Sequence, residues 1–246
     1  MQLTKSASAS KASQSAIAHR RQTQIGRKET CDLCMVWHCT VTSVKGAGVG
    51  MEVKHCTIIS QGRRMGDSSQ TIYLAGGCFW CTEAVFDRVE GVLDVESGYA
   101  NGHVDHPSYE QVCDGTTGHA EAVKLVFDPQ RIGLKTLLKI FFGTHDPTTL
   151  NRQGNDVGTQ YRSGVYYTDD VQKAEIDEVI REITAEEIFA APIVTEVQPL
   201  RSWWPAEEYH QDYYQRNPNA GYCAFVVAPK VHKLTKHFSS HLKASA

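Results

Sequence analysis

No apolar run in this 246-residue chain approaches the roughly 18 to 20 residues that a helix needs to cross a bilayer, which excludes a helical membrane span. Cysteine is scarce: eight residues, about 3% of the chain, are too few for a small domain held together by disulfides, and a chain this long needs none. No internal sequence repeat is visible. An excess of positive charge is also lacking, since 25 Lys and Arg face 28 Asp and Glu for a net charge of −3. The charge is unevenly shared. Residues 1–70 hold ten basic side chains against four acidic ones, whereas residues 71–246 hold fifteen against twenty-four. A body this acidic argues against nucleic acid as a partner. What is present is ordinary soluble composition, 41% hydrophobic and 22% charged, enough to build a packed core.

The first thirty residues are rich in Ser, Ala and basic side chains, carry no acid before Glu29 and lack the apolar centre of a secretory signal. They read as a disordered or non-native extension, with an organellar transit peptide and an ordered function as the other readings. Met65, just ahead of the first strand pattern, is a candidate natural start. Cys31, Cys34, His38, Cys39, His55 and Cys56 open with a CxxC, but no second CxxC or HxxxH completes a tetrahedral set, and no metal is expected. The domain organisation that follows is an extension over 1–70 and a functional domain over 71–246.

From Thr71 the pattern tightens. Thr71–Ala75 reads as a strand stopped by Gly76–Gly77, and Phe79–Val89 has apolar residues at helical spacing, ended by Gly91. Val92–Tyr99 and Glu121–Phe127 read as strands around a loop at Tyr99–Pro107, and Leu134–Phe142 as an apolar helix. Gly164–Tyr167 is a fourth strand, followed by a helix capped by Asp169 or Asp170 that runs to about Ile188, and Ile193–Val197 is a fifth strand. This order predicts an α+β two-layer sandwich with a mixed sheet: a ferredoxin-like split β-α-β core, extended by an extra helix and strand. Beyond Pro199 a short helix near Ala206–Tyr214 and then irregular coil are expected.

Cys78 stands where a strand turns into a helix. Unpaired N–H groups and the positive end of the helix dipole gather there and favour a thiolate, the nucleophilic form. The paired glycines permit a sharp turn that leaves the sulfur accessible. Read from the residues alone, Cys78 is a reactive thiol or a small buried core cysteine, and Phe79 and Trp80 are core or the walls of an apolar pocket. Cys81 completes a CxxC, yet the absence of a proline between the cysteines and the order of the elements argue against a thioredoxin. A dithiol oxidoreductase built on Cys78 and Cys81 remains a rival, as does a zinc-binding or interaction protein built on the first seventy residues.

The string Gly77-Cys78-Phe79-Trp80 strongly resembles the active-site motif of the A-type peptide methionine sulfoxide reductases. The resemblance continues through Gly98-Tyr99, Pro107-Ser108-Tyr109, Gly118-His119-Ala120-Glu121-Ala122 and His145-Asp146-Pro147. It then runs along 152–163 (RQGNDVGTQYRS) and ends near Gly221-Tyr222-Cys223, covering about residues 71–225 in order. It implies reduction of methionine S-sulfoxide, free or in oxidised proteins, without a cofactor. Cys78 is then the nucleophile, Glu121 the acid kept protonated by burial, and Tyr109 and Tyr161 the phenols that bind the sulfoxide oxygen. Asp156 binds water or groups near the thiol, and Phe79 and Trp80 enclose the S-methyl group. The oxidised Cys78 is a sulfenic acid, and a second cysteine must condense with it. The resemblance implies Cys223, in a coil able to swing inward, with Cys81 as the alternative and Cys113 as structural. It also implies recycling by thioredoxin, a monomer, and a cytoplasmic location, or an organelle if residues 1–64 are a transit peptide.

Overall fold

The computed structural model describes residues 69–244. The candidate start at Met65 and the six Cys and His residues of the N-terminal segment lie outside the described residues. The described residues begin with β1 (Gln70–Gly76), α1 (Phe79–Phe86), β2 (Val92–Ala100), α2 (Tyr109–Cys113), β3 (Ala120–Phe127) and α3 (Leu134–Thr144). A two-residue hairpin follows, β4 (Arg152–Gln153) with β5 (Asp156–Val157). Next come β6 (Ser163–Tyr167), α4 (Asp170–Ala185), β7 (Glu196–Pro199), β8 (Trp203–Pro205), α5 (Tyr213–Arg216) and α6 (Ala228–His237).

Six strands form one sheet in the order β7-β6-β1-β3-β2-β8. β1 pairs antiparallel with β3 and with β6, and β2 antiparallel with β3, which reproduces the split β-α-β arrangement. Both edges are extended. β7 runs parallel to β6, making the sheet mixed, and β8 pairs antiparallel with β2. The two-layer sandwich read from the sequence is therefore the observed one. The alternation in β3 explains how it positions a functional side chain. Val123, Leu125 and Phe127 point into the helix layer, whereas Ala120 and Ala122 point to the opposite face, beside Tyr73, Ala75 and Tyr166. With a side-chain period of two, Glu121 shares the face of Val123 and is carried under the helices.

α1 is buried on nearly its whole circumference, with only Trp80 partly open, so it serves as a core helix beneath other helices. α4 is amphipathic: Ile176, Val179 and Ile183 face the core. Of the two acids expected to cap it, Asp169 does so, its carboxylate accepting the Gln172 N–H at 2.9 Å. Lys135 and Lys139 of α3 pair with Glu178 and Glu182 of α4.

The C-terminal segment departs from the coil expected of it. It contains β8, a 3₁₀ turn at Glu208–His210, α5, a π-helical turn at Cys223–Val227 and the ten-residue α6. α6 buries Leu234 against the core and starts on Ala228-Pro229. A proline in the first turn of a helix lacks only an N–H that would be unpaired anyway. β8 lies close over β2 because residue 98 is glycine: a Cβ there would stand 2.5 Å from the Trp204 carbonyl oxygen.

Candidate active site

The head of α1 is the meeting point. Gly77 adopts φ +90°, a region that glycine enters without penalty, and a Cβ on it would sit 2.5 Å from the Gln153 side chain. That turn presents Cys78 as the N-cap of α1, with φ −54° and ψ 125° and no side-chain cap of its own. The first helical N–H, that of Phe79, donates to Glu121 Oε2 at 3.1 Å. Glu121 and Cys78 are thereby held at one helix start, brought together from 43 residues apart by the pairing of β3 beside β1.

Burial dominates the electrostatics. Glu121 is 1% exposed, and its carboxyl is pushed up to about 8 because burial disfavours the charged form. The Phe79 N–H opposes that shift, and the charges of Asp156 and Cys81 add to it. Near neutral pH the shift favours the protonated carboxyl. Burial also raises the Cys78 thiol well above the ordinary range, assisted by the hydrogen bond with Cys81 and by Glu121. The helix-start effect expected to ionise Cys78 is outweighed. The neighbouring Cys81 moves the other way, down to about 7, chiefly through its hydrogen bond with Cys78, with the Lys230 ammonium assisting. The two thiols thus titrate as a pair, Cys78 shifted upward and Cys81 downward.

The other residues expected at the site converge on it. Tyr109 opens α2, and its ring stacks at 6.5 Å from that of Phe79. Tyr161 ends a 3₁₀ turn at Thr159–Tyr161. Both phenols are raised, first by burial. Tyr161 also feels the charges of Glu121 and Cys78, so both side chains remain neutral donors. Asp156, at the end of the β4–β5 hairpin, accepts the Tyr222 hydroxyl at 2.6 Å. Trp80 stacks flat on Tyr213 at 3.7 Å and meets the edge of Tyr222 at 5.8 Å. Phe79 is a core side chain at 1% exposure, and Trp80 is partly buried among the rings of His210, Tyr213 and Tyr222.

Two placements differ from expectation. Cys223 is not in coil: it is 0% exposed within the π-helical turn that leads into α6. Cys113, expected to be structural, is exposed at the end of α2, with its thiol against the Tyr109 hydroxyl.

Several residues at the site were not singled out in the sequence. Tyr222 joins Asp156 to the sulfurs, and its phenol is raised by burial and then by the charges of Cys78 and Cys81. Glu207 accepts from the Tyr109 N–H at 2.9 Å and from the Tyr99 hydroxyl at 2.8 Å, fixing the start of α2. His210 is 1% exposed, with its ring 5.0 Å from Phe79 and 4.5 Å from Tyr109. Glu83, one helical turn after Cys78, is buried, accepts from the Ser97 hydroxyl at 3.1 Å and is pushed by burial up to about 7. Acids and aromatics at spacings of three to four in Glu207-Glu208-Tyr209-His210-Gln211-Asp212-Tyr213 were the available signal for Glu207 and His210. Glu83 could have been flagged as a charge inside an otherwise apolar helix.

Among the described residues no helix is long and apolar enough to cross a membrane. Residues 70–242 match the family model described as peptide methionine sulfoxide reductase. The chain is 56% identical over 172 residues to peptide methionine sulfoxide reductase MsrA 1 of Rhodopirellula baltica, covering 70% of this chain and 88% of that protein. It is 50% identical over 184 residues to peptide methionine sulfoxide reductase MsrA of Deinococcus radiodurans, covering 75% and 89%. Its fold is similar to the crystal structure of Mxr1 from Saccharomyces cerevisiae in reduced form, with a TM-score of 0.58 and 39% identity over 63% of this chain and 89% of that one. A buried thiol and a buried carboxyl at one helix start, with two phenols beside them, agree with these matches: the chain belongs to the peptide methionine sulfoxide reductase family.

Proposed function

We propose that this member of the family reduces methionine S-sulfoxide by attack of Cys78 on the sulfoxide sulfur, with Glu121 as the proton donor. The observation that carries the reading is the Glu121 carboxyl, buried, raised to about 8 and hydrogen-bonded to the N–H next to Cys78. Negative charge grows on the sulfoxide oxygen as the Cys78 sulfur approaches. That charge needs donors set in place beforehand, and the Tyr109 and Tyr161 hydroxyls with the Glu121 proton supply them. An ionised carboxylate would repel the oxygen, so burial of Glu121 is part of the chemistry.

The S–O bond of the substrate and the transient bond between the two sulfurs break as a new bond joins the oxygen to the Cys78 sulfur, so methionine leaves and Cys78 becomes a sulfenic acid carrying the proton that Glu121 supplied. Phe79 and Trp80 enclose the methyl group, which admits the S-epimer with its oxygen toward the donors. Asp156 acts through Tyr222, holding that phenol beside the sulfurs. A second thiol of the chain condenses with the sulfenic acid to give an intramolecular disulfide, which thioredoxin reduces by thiol–disulfide exchange.

Both free methionine sulfoxide and oxidised proteins are substrates, making this a protein-repair enzyme that answers oxidative stress. The catalytic domain spans residues 71–246, since every residue of the site lies beyond Gly77, and the first seventy residues are an extension to it. We take the enzyme to act as a monomer. The cytoplasm, whose thioredoxin would supply the reductant, is the compartment that suits this cycle. The experiment is epimer-resolved turnover with dithiothreitol. Cys78→Ser should abolish reduction of the S-epimer, and turnover by that variant, or equal rates on the R-epimer, would refute the reading.

A further inference from the structure

Tyr109 stands at the first position of α2, a helix of five residues, and a helix that short does not hold its shape alone in water. Its capping box closes the turn on itself. Gln111 accepts the Ser108 N–H at 2.9 Å and Ser108 accepts the Gln111 N–H at 3.4 Å, and neither bond ties α2 to the rest of the fold. The preceding loop is anchored farther back, where the buried His119 ring accepts the Gly102 N–H at 3.0 Å and donates to the Val104 carbonyl at 2.8 Å. Among the described residues, the only hydrogen bond joining the backbone of the first turn of α2 to a distant part of the chain is the one from the Tyr109 N–H to Glu207 at 2.9 Å.

Glu207 is itself held on a segment fastened to β2. The Ala206 N–H donates to the Ser97 carbonyl at 2.9 Å, and the Gln211 amide brackets Ser97, accepting its N–H at 2.9 Å and donating to its carbonyl at 3.0 Å. The second carboxylate oxygen of Glu207 accepts the Tyr99 hydroxyl at 2.8 Å. Tyr99 lies in β2 directly opposite Glu121 in β3, and opposite residues of a ladder share a face. The rings of Tyr99 and Tyr109 also flank one side chain, at 5.9 Å and 6.5 Å from that of Phe79. One carboxylate therefore spans the strand pair that carries the acid and the short helix that carries the phenol. Burial pushes this carboxyl upward, but the bonds from its own N–H, from Tyr109 and from Tyr99 outweigh that and lower it, so the group that accepts both donors is ionised.

We propose that Glu207 is a positioning residue of the reduction: its carboxylate holds Tyr109 in register with Glu121, so that phenol and carboxyl meet the same sulfoxide oxygen. The inference rests on the reading of Tyr109 and Glu121 as donors to that oxygen. Donors stabilise charge that grows in the transition state only when they are in place beforehand, and a displacement of about 1 Å can cost on the order of 10²-fold in rate. Glu207 acts through Tyr109 and takes no part in proton transfer. A glutamine can hold the same register. Its oxygen accepts the Tyr109 N–H and its NH₂ group donates to the Tyr99 hydroxyl, which then accepts. Alanine can do neither, and aspartate is one methylene too short to meet both donors.

The test is a double-mutant cycle between residues 207 and 109 in the full chain, read as single-turnover release of methionine from methionine S-sulfoxide. Glu207→Ala should slow the rate at saturating substrate by roughly 10- to 100-fold while the half-saturating concentration changes by about threefold at most. Glu207→Gln should stay within about threefold of the parent. Tyr109→Phe deletes the donor, so in that background Glu207→Ala should cost at most about twofold more. Equal losses in the two backgrounds would overturn the inference, because Glu207 would then act on something other than Tyr109. A Glu207→Gln variant as slow as Glu207→Ala would overturn it too. Where Glu207→Ala does not fold, Glu207→Asp carries the same cycle with the same expected loss of additivity. An unchanged rate in Tyr109→Phe would remove Tyr109 as a donor and take the inference with it, whereas additive losses with a slow Tyr109→Phe defeat the inference alone.

Discussion

Replacing Glu121 by Gln keeps the shape and the acceptor for the Phe79 N–H but removes the ionisable proton, and the structure makes two opposite predictions for it. Activity should fall by roughly 10²- to 10⁴-fold, the usual contribution of a general acid, with substrate binding retained. Stability should change in a pH-dependent way. A carboxyl raised from the ordinary 4.5 to about 8 binds its proton more tightly in the folded chain than in the unfolded one. The folded state is therefore favoured least where the group is ionised, and stability declines as the pH rises through the interval from about 4.5 to 8. Over that interval the penalty reaches on the order of 5 kcal/mol, an upper bound because water and nearby dipoles relax around a new buried charge.

Glu121→Gln carries no such penalty. Its urea midpoint should match that of the parent near pH 4.5 and exceed it progressively toward pH 9. Glu83, also raised by burial, is present in both proteins and cancels from the difference. Urea titrations of the two proteins at pH 5, 7 and 9 measure it directly. Parallel pH dependences would show that Glu121 is not held protonated, and the proton donor would have to be sought elsewhere.

Three further outcomes follow from the same geometry. The pH–rate profile of the parent on methionine S-sulfoxide should stop rising above about pH 8, where deprotonation of Glu121 offsets the growing thiolate fraction of Cys78, whereas that of Glu121→Gln should keep rising; profiles of the same shape would contradict the assignment. Gly77→Ala should cost on the order of 1–3 kcal/mol and depress activity, because a Cβ at φ +90° is strained and meets Gln153 at 2.5 Å. Thermal melts and steady-state rates read both effects, and a neutral substitution would show that the turn is not required. A chain beginning at Met65 should keep the full kcat/KM, and a large loss would show that the catalytic domain depends on residues before it.

The parts of the fold that the sequence displayed are those with a clean period. β3 alternates through Glu121, Val123, Leu125 and Phe127, and α3 and α4 repeat at helical spacing, so their existence and order were readable. β8 was not, because three residues, Trp-Trp-Pro, give no alternation, and its pairing depends on the small Gly98 across the ladder. α6 was hidden for another reason. Its surface is mostly polar, with Leu234 its only fully buried residue, and a proline at its start normally signals an interruption. That one misreading placed Cys223 in a mobile coil rather than in the π-helical turn that leads into α6.

The site was more legible than its energetics. Cys78, Glu121, Tyr109, Tyr161 and Asp156 could be located by motif, and the chain brings all five together. The electrostatic balance between Cys78 and Cys81 could not be read in one dimension, because Lys230 and Tyr222 reach it from the far end of the domain.

The most direct test of the central claim uses the full chain with Cys81 and Cys223 both changed to Ser, mixed with one equivalent of methionine S-sulfoxide and trapped with dimedone. The account predicts one equivalent of methionine and a dimedone adduct on Cys78 alone. No methionine, or an adduct on Cys113 in place of Cys78, would contradict it.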